Sequence, residues 1–340
     1  MKKSLKYFFN KNCIDGKKKI IISIDLDNTL VIRKKGSNYI NPRIKKIIKI
    51  LIKNRKINLV PNTGRDLVGF SAFQNGGLNI KNGVFGSGSL IMNNGHIFFN
   101  QKSNINPFII KLFIDAVSSG ILPFIDLSHA GGRIIYYGHS ADKYYNLFFS
   151  QNPRDWCHKK YSVIKHVRDY DSKKLNKVFR VEFPLIKSDS AHEKLFNHIS
   201  IKDSDSIKYL YKLLGTKSGK IFEDYSLKNK KYFNNHYSSE DIIFARFGKN
   251  FDFVNKGAGL KIWLKKSSIM FQDCTIIHVG DKDVGLINDT LIKDDLPNAL
   301  IVMVGKKYNL DNPVVDLHLR GNTEKLLLDF FVELSKILVK

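Results

Sequence analysis

Four short segments carry side chains able to do chemistry, and three of them stand just past an apolar, strand-like run. Asp25 and Asp27, in Asp25-Leu26-Asp27-Asn28-Thr29, are carboxylates two residues apart, and on a loop one can act as nucleophile and the other as proton donor. Thr63, in Thr63-Gly64-Arg65, sets a hydroxyl beside backbone N–H groups, a combination that can hold a phosphoryl oxygen. Lys256, in Asn255-Lys256-Gly257-Ala258-Gly259-Leu260, opens a predicted helix, where the peptide dipoles already favour anions. Asp281, in Gly280-Asp281-Lys282-Asp283, offers oxygen of the kind Mg²⁺ prefers. Taken singly, each segment reads as a polar turn, and Lys256 is one lysine among many. The set in order decides otherwise: strand then DxDxT, strand then Thr, a Lys at a helix start, strand then Gly-Asp. In open α/β sheets the carboxyl ends of strands are where ligands bind.

The elements that must position these residues are legible as patterns. Ile20–Ile24 is a short β-branched run that reads as a buried parallel strand, and Asp25 follows it directly. Asn41-Pro42 is a helix cap followed by proline at the first helical position. Ile44, Ile47, Ile48, Leu51 and Ile52 then share one helical face, with lysines opposite. A second apolar strand, Ile57–Val60, runs into Thr63, so strand, helix and strand form one βαβ unit with a parallel sheet. Between Val84 and Phe99, two strand-like runs flank Asn93-Asn94-Gly95, a hairpin signal.

From about Ile105 the pattern changes to a helix over Phe108–Val117 and alternating strands at Leu122–Asp126 and Arg133–Tyr137, with two more strand candidates at Val178–Ile186 and Ile242–Phe247. The polar stretch Lys217–Ser239 is expected to be a surface excursion. The α/β rhythm then returns, with a helix over Leu260–Lys266, strands at Thr275–Val279 and Leu300–Val304, and a closing helix over Thr323–Val339. The expected fold class is therefore α/β, a Rossmann-like parallel core interrupted by an α+β insertion.

In this order the segments resemble the four motifs of the haloacid dehalogenase (HAD) superfamily of phosphohydrolases. The nearest branch is the Cof-type and sucrose- or trehalose-phosphate phosphatase group, which carries a C2 cap between its second and third motifs. Lys256 begins a Lys-Gly-x-x-Leu helix and precedes Asp281 by 25 residues, as in that branch. The resemblance implies a core of 1–104 and 247–340 and a C2 specificity cap of 105–246. It implies that Asp25 is the nucleophile, that Asp27 protonates the leaving group and then activates water, and that Thr63, Gly64 and Lys256 hold the phosphoryl group. Mg²⁺ would lie between Asp25, the Asp27 carbonyl and Asp281. The branch usually reads GDxxND, with a second acid four positions after the first, but Gly285 stands there. Asp283 is the first candidate to replace that acid and Asp289 the second. In the cap, His129 and Arg133 are candidates for substrate contact, with an equal claim to being surface residues.

Composition bounds the remaining classes. With 340 residues and a hydrophobic share of 43%, the chain suits two globular domains. Its 56 Lys+Arg against 31 Asp+Glu leave a net charge of +25. A polyanion partner would explain that excess, but the lysines are scattered and no aromatic–basic nucleic-acid motif appears, so compositional drift is the preferred explanation. Three separated cysteines (Cys13, Cys157, Cys274) form no CxxC pair, which fits a reducing compartment. No apolar run approaches the roughly 20 residues of a bilayer span, and a soluble cytoplasmic protein is expected. The leading expectation is a Mg²⁺-dependent phosphatase acting on a small phosphorylated metabolite, a sugar phosphate above others. The alternatives are a weakly active or inactive binding protein on the same scaffold, or a phosphatase for nucleotide or nucleic-acid phosphate.

Overall fold

The computed structural model describes residues 2–12, 14, 18–34, 37–67, 70, 78, 80–105, 107–118, 120, 122, 124–138, 162–171, 175–186, 233–239, 242–248, 255–281, 289–305 and 312–338. The chain divides into two compact units, Met1–Asn100 with Val254–Lys340, and Gln101–Phe253.

The first unit begins with helix α1 (Lys2–Lys11), strand β1 (Lys19–Ile24), a short β2–β3 pair (Ile32–Lys34, Ser37–Tyr39), helix α2 (Pro42–Leu51) and strand β4 (Ile57–Pro61). It continues with the three-stranded meander β5 (Gly83–Phe85), β6 (Leu90–Asn93) and β7 (His96–Phe99). The β6–β7 turn is Asn94-Gly95, both at positive φ (50° and 84°), the pairing that a two-residue hairpin needs to match strand twist. Asn41 caps α2 by accepting from the Arg43 N–H, and Pro42 occupies the first turn, where its missing N–H costs nothing. Ile44, Ile48 and Leu51 are buried as the helical period requires, while Ile52, assigned to the same face by spacing, lies past the last turn and is exposed.

The second unit follows with helix α3 (Pro107–Ser118) and strands β8 (Phe124–His129), β9 (Gly132–Tyr137), β10 (Ser162–His166), β11 (Val178–Ile186), β12 (Phe233–Ser239) and β13 (Ile242–Gly248). They form one sheet in the order β10-β9-β8-β11-β13-β12, antiparallel except for β10 beside β9, with α3 packed on β8 and β9. Part of the expected surface excursion is corrected here. Phe233–Ser239 is an edge strand paired along β13, because an edge needs backbone partners on one side only and tolerates a polar sequence. Residues 217–232 of that stretch lie outside the described residues. Arg133 is 9% exposed and forms an ion pair with the fully buried Asp126 at 3.2 Å, so it is not a surface residue.

The chain then returns to the first unit through helix α4 (Lys256–Lys266), strand β14 (Cys274–Gly280), the short helix α5 (Ile292–Asp295), strands β15 (Leu300–Gly305) and β16 (Leu317–Arg320), and helix α6 (Thr323–Leu338). The central sheet runs β16-β15-β14-β1-β4, parallel throughout. Both its faces are covered, which is why its strands are nearly continuous apolar runs. On one side Ile21, Val60, Ile276, Ile301 and Met303 pack with Leu260, Trp263 and Leu264 of α4. Helix α6 packs on α2, α1 and β15, and Phe330 of α6 lies 5.6 Å from Phe9 of α1 between ring centroids. The expected α/β class, a Rossmann-like parallel core with an α+β insertion, is what the chain forms. No helix among the described residues is long and apolar enough to cross a membrane.

Candidate active site

Strand register brings Asp25, Asp281 and Thr63 to one edge. In β1, Ile24 is level with Val279 of β14 and Pro61 of β4, so the residues following all three strands emerge together. Backbone bonds fix these exits: the Asp25 N–H donates to Val279 O (2.9 Å), the Asn62 N–H to Ile24 O (2.8 Å) and the Thr63 N–H to Val84 O (2.9 Å). The loop after Asp25 turns tightly. Asn28 takes a left-handed conformation (φ 58°), and Leu30 and Val31 donate back to Asp25 O and Leu26 O. Thr29, fully buried, donates its hydroxyl to Asp281 Oδ1 at 3.3 Å, tying the first segment to the last. The Thr63 hydroxyl accepts from the Arg65 N–H at 3.2 Å.

Lys256 occupies the first turn of α4, where a cation opposes the helix dipole by about 0.3–1 kcal/mol. Its position follows from what surrounds it. Asn255 caps the helix by accepting from the Ala258 N–H (2.7 Å). Gly88 (φ 100°) and Gly259 let the β5–β6 turn approach α4 closely, since a Cβ at either would strike the other segment's backbone. The ammonium is 5% exposed and donates to Asp25 Oδ1 at 2.8 Å and to Asp289 Oδ1 at 2.5 Å. Two carboxylates hold its pKa above the ordinary lysine value, although burial pulls the other way.

Asp289 is the residue the sequence reading ranked second, and it is the acid placed in the cluster. Asp283 lies outside the described residues. Asp289 is fully buried; its Oδ2 accepts from the Asp281 N–H (3.1 Å) and its Oδ1 from Lys256. Gly280 explains how it fits, because a Cβ there would fall on the Asp289 carboxylate. A signal for this was present: Asn288-Asp289 is the Asn-Asp pair of the GDxxND pattern, displaced four positions along the chain. Asp25, Asp281 and Asp289 each bring one carboxylate oxygen within 4.8 Å of the others. Three hard oxygen donors, none sulfur or imidazole, form a set suited to Mg²⁺. Asp27 stands apart from that set. Arg65 grips its carboxylate in a two-pronged ion pair, Nε to Oδ2 at 2.9 Å and Nη2 to Oδ1 at 2.6 Å.

Three polar residues that the sequence reading passed over lie beneath the cluster. His278 in β14, Ser23 in β1 and Asn62 after β4 are all fully buried. His278 bonds Ser23 Oγ through Nδ1 and Asp289 Oδ1 through Nε2, both at 3.0 Å. Asn62 donates from Nδ2 to Ser23 Oγ (3.1 Å) and to Lys256 O (3.0 Å). Burial lowers the His278 pKa and keeps the ring neutral. The crowded acids split. Burial pushes Asp25 up to about 7 despite Lys256, and burial with the nearby Asp289 pushes Asp281 up to about 6. Asp289 is held below the usual carboxylate range: burial opposes this, but Lys256 and His278 outweigh it.

These shifts set a pH dependence. In metal-free protein Asp25 and Asp281 keep protons that the unfolded chain has lost, so their stabilisation falls as pH rises from about 4 to about 7. His278 has the opposite sign, since its lowered pKa favours the fold above its ordinary value. A divalent cation needs the ionised acids and releases their protons. The rise in Tm on adding Mg²⁺ to EDTA-treated protein is therefore expected to grow between about pH 5 and 7, within the roughly 4–7 window of the carboxylate shifts. Thermal melts with and without Mg²⁺ across that range check this, and a shift independent of pH contradicts it.

Fold and cluster together define a parallel α/β protein with a lysine and a set of acids at the carboxyl edge of its sheet. The chain matches the haloacid dehalogenase-like hydrolases over residues 22–289, and it belongs to that family. No curated protein sequence matches it. Among solved structures it is similar to TM0651 from Thermotoga maritima (TM-score 0.57, 15% identity, 92% of this chain and 96% of that one). It is also similar to a putative HAD/Cof-like hydrolase from Plasmodium vivax (TM-score 0.55, 15% identity, 96% and 99%). A third likeness is to BT4131, described as a HAD subclass IIB sugar phosphatase (TM-score 0.51, 12% identity, 90% and 95%). At such identities the likeness is one of fold.

Proposed function

We propose that the protein is a phosphoric monoester hydrolase for a small phosphorylated metabolite, with a sugar phosphate the first candidate. The observation that carries this reading is the bridge of Lys256 between Asp25 and Asp289 beside Asp281. It sets a nucleophile, a fixed cation and a metal-type acid set at one point. In the proposed reaction a carboxylate oxygen of Asp25 attacks phosphorus and the P–O bond to the leaving group breaks. Asp27 gives its proton to the departing oxygen, and the phosphoryl group stays on Asp25 as an acyl phosphate. Asp27 then takes a proton from water, whose oxygen attacks that phosphorus and returns Asp25 as a carboxylate.

Lys256, the Thr63 hydroxyl and the Gly64 backbone are assigned to the phosphoryl oxygens, where fixed charge counts most in phosphoryl transfer. Asp25 and Asp281, with the Asp27 carbonyl and Asp289 or Asp283 in support, are assigned to Mg²⁺. The ion would neutralise charge on the transferring group. Arg65 holds both oxygens of Asp27 and so fixes where that carboxylate stands. Residues 105–246 are assigned to substrate selection, and a cytoplasmic location is proposed from cysteine usage. The test is a Mg²⁺-supported phosphatase screen across sugar phosphates, nucleotides and cofactor phosphates. Release of phosphate from a sugar phosphate, abolished by EDTA, is the expected result. Release only from nucleotides would move the substrate class, and none from any substrate would favour a binding role.

A further inference from the structure

The hydrogen bonds beneath the acids close on themselves. Starting from the Lys256 carbonyl, they pass through Asn62, Ser23, His278 and Asp289 and return to Lys256 Nζ. Each direction is set by its neighbour. The Lys256 carbonyl only accepts, which fixes the Asn62 amide with Nδ2 towards it and towards Ser23. An ionised Asp289 also only accepts, so His278 Nε2 carries the hydrogen, and the tautomer follows from the network. Ser23, already accepting from Asn62, then donates to His278 Nδ1. Register makes the ring possible, since Ser23 and His278 are level on adjacent parallel strands.

We propose that His278 is a positioning residue for the acid cluster: its Nε2–H, locked by Ser23 and Asn62, fixes the rotation of the Asp289 carboxylate. With Oδ1 held by His278 and Lys256, Oδ2 is turned to the Asp281 N–H. An aspartate's terminal torsion is soft, and Lys256 and the Asp281 N–H each hold one oxygen, so the third bond, from His278, narrows the angle at which the carboxylate stands. The inference rests on the phosphatase reading for its kinetic consequences, but its effect on cation binding does not need turnover. Outer partners of this kind typically change metal affinity or activity about 10–100-fold.

The test uses the full chain and Mg²⁺ itself. His278→Leu keeps an apolar strand residue and removes the donor, while His278→Gln can still donate to Asp289. Calorimetric Mg²⁺ titration of the leucine variant is expected to show about 10–100-fold weaker binding. At a fixed Mg²⁺ concentration near the wild-type Kd, its kcat on an aryl phosphate is expected to fall in parallel, with little change in KM. The glutamine variant is expected to recover most of both. Leucine and glutamine variants that bind Mg²⁺ equally, whether as the wild type does or both weakly, overturn the proposal and leave His278 a packing residue. If neither folds, Ser23→Ala, which leaves the ring in place but unlocked, decides: weaker Mg²⁺ binding supports the proposal and wild-type binding overturns it. A wild type that hydrolyses no phosphate ester defeats the phosphatase reading alone, because the Mg²⁺ titrations still discriminate. A wild type that binds no Mg²⁺ removes both.

Discussion

Asp25→Asn is expected to abolish Mg²⁺-dependent hydrolysis of a generic aryl phosphate, with a loss on the order of 10⁴-fold or more, as when a covalent nucleophile is removed. The amide matches the carboxylate in shape, and its oxygen can still accept from Lys256, but it cannot form the acyl phosphate. The fold is expected to survive. Asp25 is 8% exposed and its pKa is pushed up to about 7, so its ionised form opposes folding at neutral pH. A neutral amide removes that opposition, and the metal-free Tm is expected to hold or rise while the Mg²⁺-induced shift shrinks. Steady-state kinetics and melts with EDTA check both parts. Full residual activity would mean that another group attacks phosphorus.

Elements with one strong local pattern were legible from the chain alone. The Asn41-Pro42 cap, the isoleucine face of α2, the Asn94-Gly95 turn and β11 at Val178–Ile186 each declare themselves within a few residues. Helix α1 is equally readable, with Leu5, Phe8 and Phe9 buried at helical spacing. Strand β12 was not readable, because Phe233–Ser239 owes its place to backbone pairing along an edge and its side chains carry no apolar alternation. Short strands β10 and β16 gave too few residues for a period to show.

The site divides along the same line. Asp25, Asp27, Thr63, Lys256 and Asp281 follow strands or open a helix, so each has a local context that marks it. Ser23 and His278 are single polar residues inside apolar strands, two positions before Asp25 and before Gly280. Within one strand each reads as an interruption. Only the parallel register makes them neighbours, and register is a property of two strands. Asp289 ranks only second in the sequence because of spacing: it stands eight positions after Asp281, and the family pattern looks four positions on.

Replacing the acids one at a time is expected to rank them, with Asp281→Ala and Asp289→Ala both severe and Asp283→Ala mild. Asp281 is assigned as a direct metal ligand, so its loss should raise the Mg²⁺ requirement steeply or end activity. Asp289→Ala should do as much damage by a different route. It takes from Lys256 one of two anionic partners, and it leaves the His278 Nε2–H and the Asp281 N–H without their acceptor. Removing one side of a buried ion pair typically costs about 3–5 kcal/mol; Asp25 remains beside Lys256, so the lower end of that range is expected. Urea denaturation in EDTA should therefore separate the two variants. Asp289→Ala loses about 3 kcal/mol, whereas Asp281→Ala holds or gains, because burial has pushed the Asp281 carboxyl up to about 6 and its charge opposes folding at neutral pH. Asp283→Ala, at most an outer partner of the metal, is expected to change Mg²⁺ affinity by no more than about 10-fold. If Asp283→Ala proves more damaging than Asp281→Ala, the fourth motif is out of register and the metal assignment falls with it. If instead Asp289→Ala is as stable as the wild type, the short contacts to Lys256 and His278 do not hold the acid in place, and the ring beneath the site loses its anchor.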